Sequence, residues 1–396
     1  MYQNLALLAA FLLVYSIFAG RLESRLLNGP LMFMLVGLVL GPALMGVLQL
    51  RIEREGVKVL AELTLAIVLF SDAANANLKV LRAHEGLPLR LLIIGLPLTI
   101  LGGWLVGMWL FAQVPPLELA ILATLLAPTD AALGKAVVSN PKVLAPVREG
   151  LNVESGLNDG ICVPVLLVFL ALLVEEQARA PASLAVELVV EELGIGALAG
   201  ISLTLIARQL YRLSEKHHWQ ASLWSQLTLP ALSILCFAIA QLLGGSGFIA
   251  AFVGGLLASY LFAEQKHTLL QGSEEFASLL SVITWVVFGA VVIPKVWGSL
   301  TLNIWLYAIL SLTVIRVIPV LVGLWATRFD FETRLFIGWF GPRGLATIVF
   351  AVMIMDYPLQ ATNTVVATAI CTVLLSVLLH GVSANPWVAR LAGRGP

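Results

Sequence analysis

The chain has 396 residues, of which 60% are hydrophobic and only 12% charged, against about 25% charged residues in a typical soluble domain. A mean hydropathy of +0.97 excludes a soluble globular protein, because a single core cannot hide so much apolar surface from water. The 23 basic residues balance the 23 acidic residues, so net charge gives no indication of a nucleic-acid partner or an acidic substrate.

Apolar windows predict an all-α, polytopic membrane protein with about thirteen spans, since a spanning helix needs about 20 mostly apolar residues. The first segment has no preceding positive charge and no clear cleavage site, so we expect a span rather than a signal peptide. No stretch between spans is long enough for a soluble domain. The predicted spans are residues 4–20, 31–49, 57–75, 89–112, 116–138, 152–174, 186–207, 221–243, 246–263, 276–294, 302–326, 333–355 and 361–386.

Basic residues are unevenly distributed over the loops between these spans. Most of the 23 Lys and Arg residues fall on the side that holds the loop after span 1 and the C-terminus. Because cytoplasmic loops are rich in Lys and Arg, we expect the N-terminus outside the cell (inner) membrane and the C-terminus in the cytoplasm.

Charged residues lie well inside four of the spans, where they are energetically costly and by default indicate a functional site. A helical rise of about 1.5 Å per residue puts Asp130, Asp159, Arg316 and Arg343 about 10–15 Å from the cytoplasmic edge. Four helices therefore bring charge to one layer of the membrane. The residues are Asp130, Glu154, Asp159, Arg316 and Arg343.

Two spans contain residues that interrupt a helix. Span 5 has Ala127-Pro128-Thr129-Asp130, and span 12 has Gly341-Pro342-Arg343-Gly344. The two spans run in opposite directions seven spans apart, and interrupted helices at matching places indicate the binding site of a transporter built from inverted repeats. We therefore expect two inverted six-helix repeats with interrupted helices 5 and 12. The alternative for span 12 is that its glycines only permit close helix packing, which we prefer for Gly254-Gly255.

Span 6 presents a wedge of polar side chains. Glu154 and Asn158 are four residues apart, as are Ser155 and Asp159, so the two pairs lie on adjoining helix faces. Their oxygen atoms suit a hard monovalent cation, and a buried carboxylate can also hold a proton because burial disfavours its charged form. One site that binds either ion would exchange them by competition, as a secondary transporter does.

The buried charges suggest a division of roles. We expect Glu154 to form an ion pair with Arg316, which leaves Asp159 as the group that titrates. In the alternative, all five buried charges form one inert ion-pair network. Two further residues are weaker candidates: Asp72 is equally well explained as a helix-end residue, and His380 as a hydrogen-bonded structural histidine.

The motifs in spans 5, 6 and 12 together resemble one family. The run Glu154-Ser155-Gly156-Leu157-Asn158-Asp159-Gly160, with those described above for spans 5 and 12, is similar to the monovalent cation/proton antiporters. The resemblance is greatest to the prokaryotic NhaP-type sodium/proton antiporters and extends to the eukaryotic sodium/proton exchangers. It covers about residues 30 to 385.

The resemblance implies a homodimer in which a core moves like an elevator against a dimerisation scaffold. The core would be roughly residues 89–174 and 302–386, and the scaffold roughly 1–75 and 186–294. The absence of a long tail after span 13 argues against the elaborate regulation of the eukaryotic exchangers. The cargo would be Na⁺, or another alkali cation, and H⁺, with no cofactor.

The resemblance also implies roles for single residues. Asp159 would bind the cation or the proton, and Thr129, Ser155 and Glu154 would surround it as cation ligands or neighbours. Asn158 and Asp130 would belong to the same site, with Arg316 and Arg343 as supporting charges. The order Asn158-Asp159 resembles the electroneutral branch, which exchanges one cation for one proton.

Two other functions are weighed against the antiporter. An ion channel would fit the buried site and the broken helices, but no filter-like repeat or pore loop is visible in the sequence. An intramembrane aspartyl protease would fit buried Asp130 and Asp159, yet these acids accompany Asn158 and arginines rather than forming a paired catalytic dyad. The sequence therefore predicts a secondary transporter and no enzyme.

Overall fold

The computed structural model describes residues 2–22, 29–48, 54–76, 86–130, 133–138, 140–178 and 182–392. Over these ranges the chain is all-helical and contains no strand, which confirms the predicted fold class. Seven helical stretches among the described residues are long and apolar enough to cross a membrane, and five shorter apolar helices accompany them. The protein is therefore a multi-pass membrane protein.

Each predicted span corresponds to one helix or to one pair of consecutive helices. In chain order the α-helices are α1 (Tyr2–Leu22), α2 (Gly29–Leu40), α3 (Arg54–Asn75), α4 (Leu87–Arg90), α5 (Leu96–Leu110), α6 (Pro116–Leu125), α7 (Lys135–Val138), α8 (Ala145–Ala178), α9 (Ala182–Lys216), α10 (Ser222–Ser225), α11 (Thr228–Leu242), α12 (Gly247–Leu261), α13 (Lys266–Val287), α14 (Ile293–Val296), α15 (Leu302–Leu312), α16 (Val314–Gly323), α17 (Phe331–Trp339), α18 (Leu345–Met353) and α19 (Thr362–Ala392). Turns of π-helix, Leu91–Gly95 and Phe288–Val292, join α4 to α5 and α13 to α14.

Several predicted boundaries are wrong. The helix α2 ends at Leu40 rather than near residue 49, because Gly41 and Pro42 follow and proline cannot continue a helix. Residue 49 itself, and residues 131–132 of span 5, lie outside the described residues. The helices α8 and α9 are longer than predicted at both ends, since polar residues extend a helix beyond its apolar part.

Span 11 contains a break that the sequence analysis did not predict. The helix α15 ends at Leu312 and α16 begins at Val314, with Thr313 between them at φ −111° and ψ −90°. The Thr313 hydroxyl donates to the carbonyl oxygen of Ile309 at 2.7 Å, a contact that bends helices, and Pro319 removes a further amide donor. This bend precedes Arg316, which α16 carries towards the site.

Close helix packing positions α3 beside the centre of the molecule. A Cβ added to Gly254 of α12 would lie 3.1 Å from Thr204 Oγ1, and one added to Gly255 would lie 3.0 Å from the Cβ of Ala73. Glycine is therefore needed where α12 meets α3, and the prediction that this glycine pair serves packing is confirmed.

The two predicted interruptions are both present. Residues 126–134 separate α6 from α7, and residues 340–344 separate α17 from α18. The two unwound segments meet, because the Asp130 amide donates to the Pro342 carbonyl oxygen at 2.8 Å. The contact joins span 5 to span 12 at the point where both lack helical hydrogen bonds.

A buried carboxylate that the sequence analysis missed joins α6 to α19. Glu118 is fully buried, and its oxygens accept hydrogen bonds from the amides of Gln360 at 2.6 Å and Ala361 at 2.9 Å. These amides stand at the N-terminal end of α19, where helical N–H groups lack partners and a negative charge is favoured. Glu118 therefore neutralises the start of the last helix.

We expect replacement of Glu118 to destabilise the protein. Glu118→Ala removes the acceptors of two amides, and Glu118→Gln turns one acceptor into a donor that faces an amide; each loss costs about 1–3 kcal/mol. Thermal unfolding of the purified protein in detergent measures the effect. The exposed Glu149→Gln on α8 is the control and should leave the melting temperature unchanged. Unaltered melting of both Glu118 variants would contradict the capping role.

Candidate functional site

Thr129, in the unwound segment after α6, is held by three groups of α8. Asn158 donates from Nδ2 to Thr129 Oγ1 at 2.7 Å and accepts from the Thr129 amide at its Oδ1, at 3.3 Å. Ser155 donates from Oγ to the Thr129 carbonyl oxygen at 2.7 Å. Backbone groups that have lost helical partners must find others when they are buried, and α8 supplies them. The structure thus brings Thr129, Ser155 and Asn158 together, while their part in binding a cation stays a prediction.

Asp159 is the buried carboxylate that remains. It is 6% exposed, and its Oδ1 has no hydrogen-bond partner among the described residues. The charges that act on it are those of Asp130 and Asp72, which repel its negative form, and of Arg343, which favours it. A buried polar atom without a partner is rare and costly, so Oδ1 is suited to a proton or a cation.

Glu154 forms the predicted ion pair with Arg316. Arg316 donates from Nη1 to Oε1 at 2.6 Å and from Nη2 to Oε2 at 2.8 Å, and both side chains are almost fully buried. A bidentate pair of this kind satisfies both carboxylate oxygens and fixes the distance between α8 and α16. The two opposite charges offset each other. Glu154 therefore differs from Asp159, about one turn further along α8, whose Oδ1 has no partner among the described residues.

Asp130 caps the second half of the interrupted span 12. Its Oδ2 accepts from the Leu345 amide, the first of α18, at 3.0 Å, and its Oδ1 accepts from the Leu133 amide at 3.3 Å. A negative charge at a helix N-terminus offsets the positive end of the helix dipole. The structure thus gives both oxygens backbone donors, and a role of Asp130 as a cation ligand stays a prediction.

Arg343 supplies a positive charge at the C-terminal end of α6. The side chain is fully buried, and its Nη1 donates to the carbonyl oxygens of Ala127 at 2.6 Å and Pro128 at 3.0 Å. These carbonyls follow the C-terminal end of α6, where the helix dipole is negative. Asp130 of span 5 therefore offsets the open helix end in span 12, and Arg343 of span 12 offsets the open helix end in span 5.

Two glycines of span 12 admit these side chains. A Cβ on Gly341 would lie 2.5 Å from Arg316 Nε, and one on Gly344 would overlap the Asp130 carboxylate. Neither neighbour can move without losing the contacts described above. The alternative of helix packing alone is therefore insufficient for Gly341 and Gly344, whose missing side chains make room for the two buried charges.

Asp72 lies closer to the site than the sequence analysis indicated. A Cβ on Gly156 of α8 would lie 3.3 Å from the Cβ and the carbonyl oxygen of Asp72, and Asp72 acts electrostatically on Asp159. The helix α3 thus brings an acid to the same face of α8. Its only signal in the sequence is an acid near the end of a predicted span, a signal that helix-end acids share.

A family model described as the transmembrane sodium/hydrogen exchanger matches residues 7–390. The chain belongs to the sodium/hydrogen exchanger family. The match covers both interrupted spans and the polar face of α8, so the site described above lies within the family region. It confirms the family resemblance that the motifs indicated.

Curated members of the exchanger family are similar over most of this chain. One, from Shewanella sp. (strain MR-4), is named a K⁺/H⁺ antiporter, NhaP2, and is 26% identical over 392 residues, which are 98% of this chain and 66% of the relative. Another, from Schizosaccharomyces pombe, is named a probable Na⁺/H⁺ antiporter and is 26% identical over 77% of this chain and 42% of its own length. The chain therefore spans slightly less than two thirds of the first relative.

A solved structure of the family has the same fold. The sodium proton antiporter MjNhaP1 from Methanocaldococcus jannaschii superposes with a TM-score of 0.76 at 21% identity, covering 99% of this chain and 98% of that chain. The described helices therefore share the fold of that antiporter.

We expect Arg316→Ala to destabilise this exchanger-family protein strongly. The substitution leaves Glu154 charged, buried and unpaired, which costs about 3–5 kcal/mol. The control is Arg390→Ala, because Arg390 pairs with Glu332 at 2.8 Å while its own side chain is 67% exposed, and exposed pairs contribute only about 0–1 kcal/mol. Thermal unfolding in detergent compares the two variants. An Arg316→Ala protein that melts like the wild type would refute the structural role of the pair, whereas recovery in Glu154→Leu/Arg316→Leu would support it.

Proposed function

We propose that the protein is a secondary antiporter that exchanges an alkali cation for H⁺ by competition at Asp159. The observation that carries the proposal is the buried Oδ1 of Asp159, which has no hydrogen-bond partner among the described residues, whereas both oxygens of Glu154 and of Asp130 accept hydrogen bonds. A proton or a cation on Asp159 removes its uncompensated charge, and the two cannot bind together. Exchange by competition follows from that exclusion.

The remaining polar residues of α8 have roles that fit this proposal. Thr129 and Ser155 supply oxygen atoms beside Asp159, and Asn158 holds Thr129 in place through two hydrogen bonds. Both oxygens of Glu154 accept hydrogen bonds from Arg316, which leaves Asp159 as the acid available for exchange. We therefore propose electroneutral exchange, one cation for one proton, with Na⁺ as the cation and no cofactor.

We further propose that the predicted core and scaffold move relative to one another, in a homodimer with its N-terminus outside the cell (inner) membrane. Support comes from how the contacts are distributed. The crossing of spans 5 and 12 and the Glu154–Arg316 pair lie wholly within residues 89–174 and 302–386. Between the units, Lys58 of the scaffold pairs with Asp356 of the core, and both side chains are partly exposed. An exposed pair of this kind is weak enough to break in each cycle.

Proteoliposomes test the proposed exchange directly. With an imposed Na⁺ gradient, we expect the wild type to move H⁺ against its own gradient, as a pH-sensitive dye reports, and Asp159→Asn to abolish this flux while the protein stays folded. Glu149→Gln, on the exposed side of α8, is the matched control and should retain the full rate. Parallel runs with K⁺ and Li⁺ identify the cation.

Each alternative gives a different result in the same vesicles. A channel only dissipates gradients and never drives H⁺ uphill, so purely downhill flux would overturn the antiporter. Cation-driven flux through Asp159→Asn would overturn the site while leaving the antiporter in place.

A reversible cross-link tests the relative movement of the two units. We expect Lys58→Cys/Asp356→Cys to stop exchange when the two cysteines are joined by a short bifunctional reagent that forms a disulfide with each of them. The link ties the scaffold to the core. A reductant that cleaves the link should restore the rate. The single cysteine variants, treated identically, are the controls, and the native Cys162, Cys236 and Cys371 are buried. Full exchange in the cross-linked protein would exclude movement at this contact.

A further inference from the structure

His380 of α19 lies against the break in span 12. It is almost fully buried, and its Nε2 is 2.8 Å from the carbonyl oxygen of Trp339, the last residue of α17. A carbonyl oxygen only accepts hydrogen bonds, so Nε2 must carry a proton and donate. The ring of His380 therefore holds the C-terminal end of the first half of span 12.

Ser376, one turn earlier on α19, holds the other end of the break. Its Oγ accepts a hydrogen bond from the Arg343 amide at 2.6 Å. The hydroxyl proton is then available for Nδ1 of His380, which lies 3.2 Å from Oγ. The hydrogen bonds therefore form a series in which each group donates to the next, from the Arg343 amide through Ser376 and His380 to the Trp339 carbonyl oxygen.

We propose that His380 and Ser376 are positioning residues that clamp both ends of the unwound segment 340–343 to α19 and thereby set the place of Arg343 in the crossing. The proposal rests on the proposed function, since Arg343 is the positive charge that acts on Asp159. Because the Arg343 backbone is anchored at its amide, its guanidinium reaches the carbonyls of Ala127 and Pro128 from a fixed origin. Loss of the clamp would let that origin shift.

The surroundings of His380 favour a neutral ring. The charged groups that act on it are Arg343 of the break and Arg316 of α16, both positive, while the rings of Trp339 and Phe340 lie 5.2 Å and 6.2 Å from its own. No acidic side chain among the described residues pairs with it. Nδ1 also lies 2.8 Å from the Ser376 carbonyl oxygen, a contact that protonation would improve, but two neighbouring guanidinium groups oppose the added charge. The clamp itself requires only the proton on Nε2, which the Trp339 carbonyl oxygen accepts.

Substitutions of His380 distinguish the contribution of Nε2, which contacts Trp339, from that of Nδ1, which contacts Ser376. Gln can place an N–H near the position of Nε2 and restore the bond to Trp339, whereas Asn reaches only the position of Nδ1. We expect His380→Gln to keep exchange within about twofold of the wild type with an unchanged pH profile, and His380→Asn and His380→Ala to lose about tenfold. Ser376→Ala should lose a similar amount, and Ser376→Thr, which keeps the hydroxyl, should recover it.

A second readout does not depend on exchange. Amide hydrogen exchange by mass spectrometry should show faster deuterium uptake in the peptide covering residues 339–345 for His380→Ala and His380→Asn, but not for His380→Gln. A peptide from α12 serves as the control for general unfolding and should not change. If the wild type fails to exchange ions while uptake changes as stated, the proposed function fails and the clamp stands.

Three results would overturn the clamp itself. They are wild-type uptake in the 339–345 peptide of His380→Ala, full exchange by that variant, and a loss in His380→Gln as large as that in His380→Ala. A shifted pH profile in His380→Gln would overturn the neutral ring and show a titrating one instead.

Discussion

The structure depends on how two unwound segments are satisfied inside a membrane, where water is not available to buried backbone groups. Span 5 leaves carbonyls open after α6, and span 12 leaves amides open before α18. Arg343 bonds the former and Asp130 the latter, so each segment supplies the charge that the other needs. A direct bond from the Asp130 amide to the Pro342 carbonyl fixes their register. Without this exchange of partners, neither break would be tolerated at that depth.

The crossing also explains why α8 carries an unpaired acid. The backbone and hydroxyl of Thr129 are already occupied by Ser155 and Asn158, and Glu154 is occupied by Arg316. Asp159 follows these residues on the same helix and has an oxygen that no described group satisfies. Burial of that oxygen is not compensated by a hydrogen bond, and in the proposed function the binding of an ion removes this cost.

The sequence was sufficient where the physical signal is local. Hydropathy located the spans, Pro128 and the Gly341–Gly344 run located both breaks, and the number of buried charges indicated the Glu154–Arg316 pair. It was insufficient where a residue's role depends on a distant partner. Glu118 resembles an ordinary acid at a span end. The amides that donate hydrogen bonds to its carboxylate, however, lie about 240 positions away on the chain. The hydroxyl of Thr313 bonds the carbonyl oxygen one turn earlier, as other helical threonines do, but here the helix is broken. Asp72 can approach α8 because Gly156, on a different helix, has no side chain.

Charged and neutral side chains have different roles at the site, and this difference bears on the proposed stoichiometry. The charged side chains of Arg343, Asp130, Arg316 and Glu154 form hydrogen bonds to backbone groups or to each other, which leaves Asp159 as the exchanging acid of the proposed function. The contacts that hold the unwound segments in place are otherwise neutral: Asn158 and Ser155 on Thr129, Ser376 and His380 on span 12. Asn158 both donates and accepts, which a carboxylate in its place could not do. An acid at that position would add a titrating charge and remove the donor to Thr129, so the proposed one-for-one exchange and the hydrogen bond that holds Thr129 both depend on this amide.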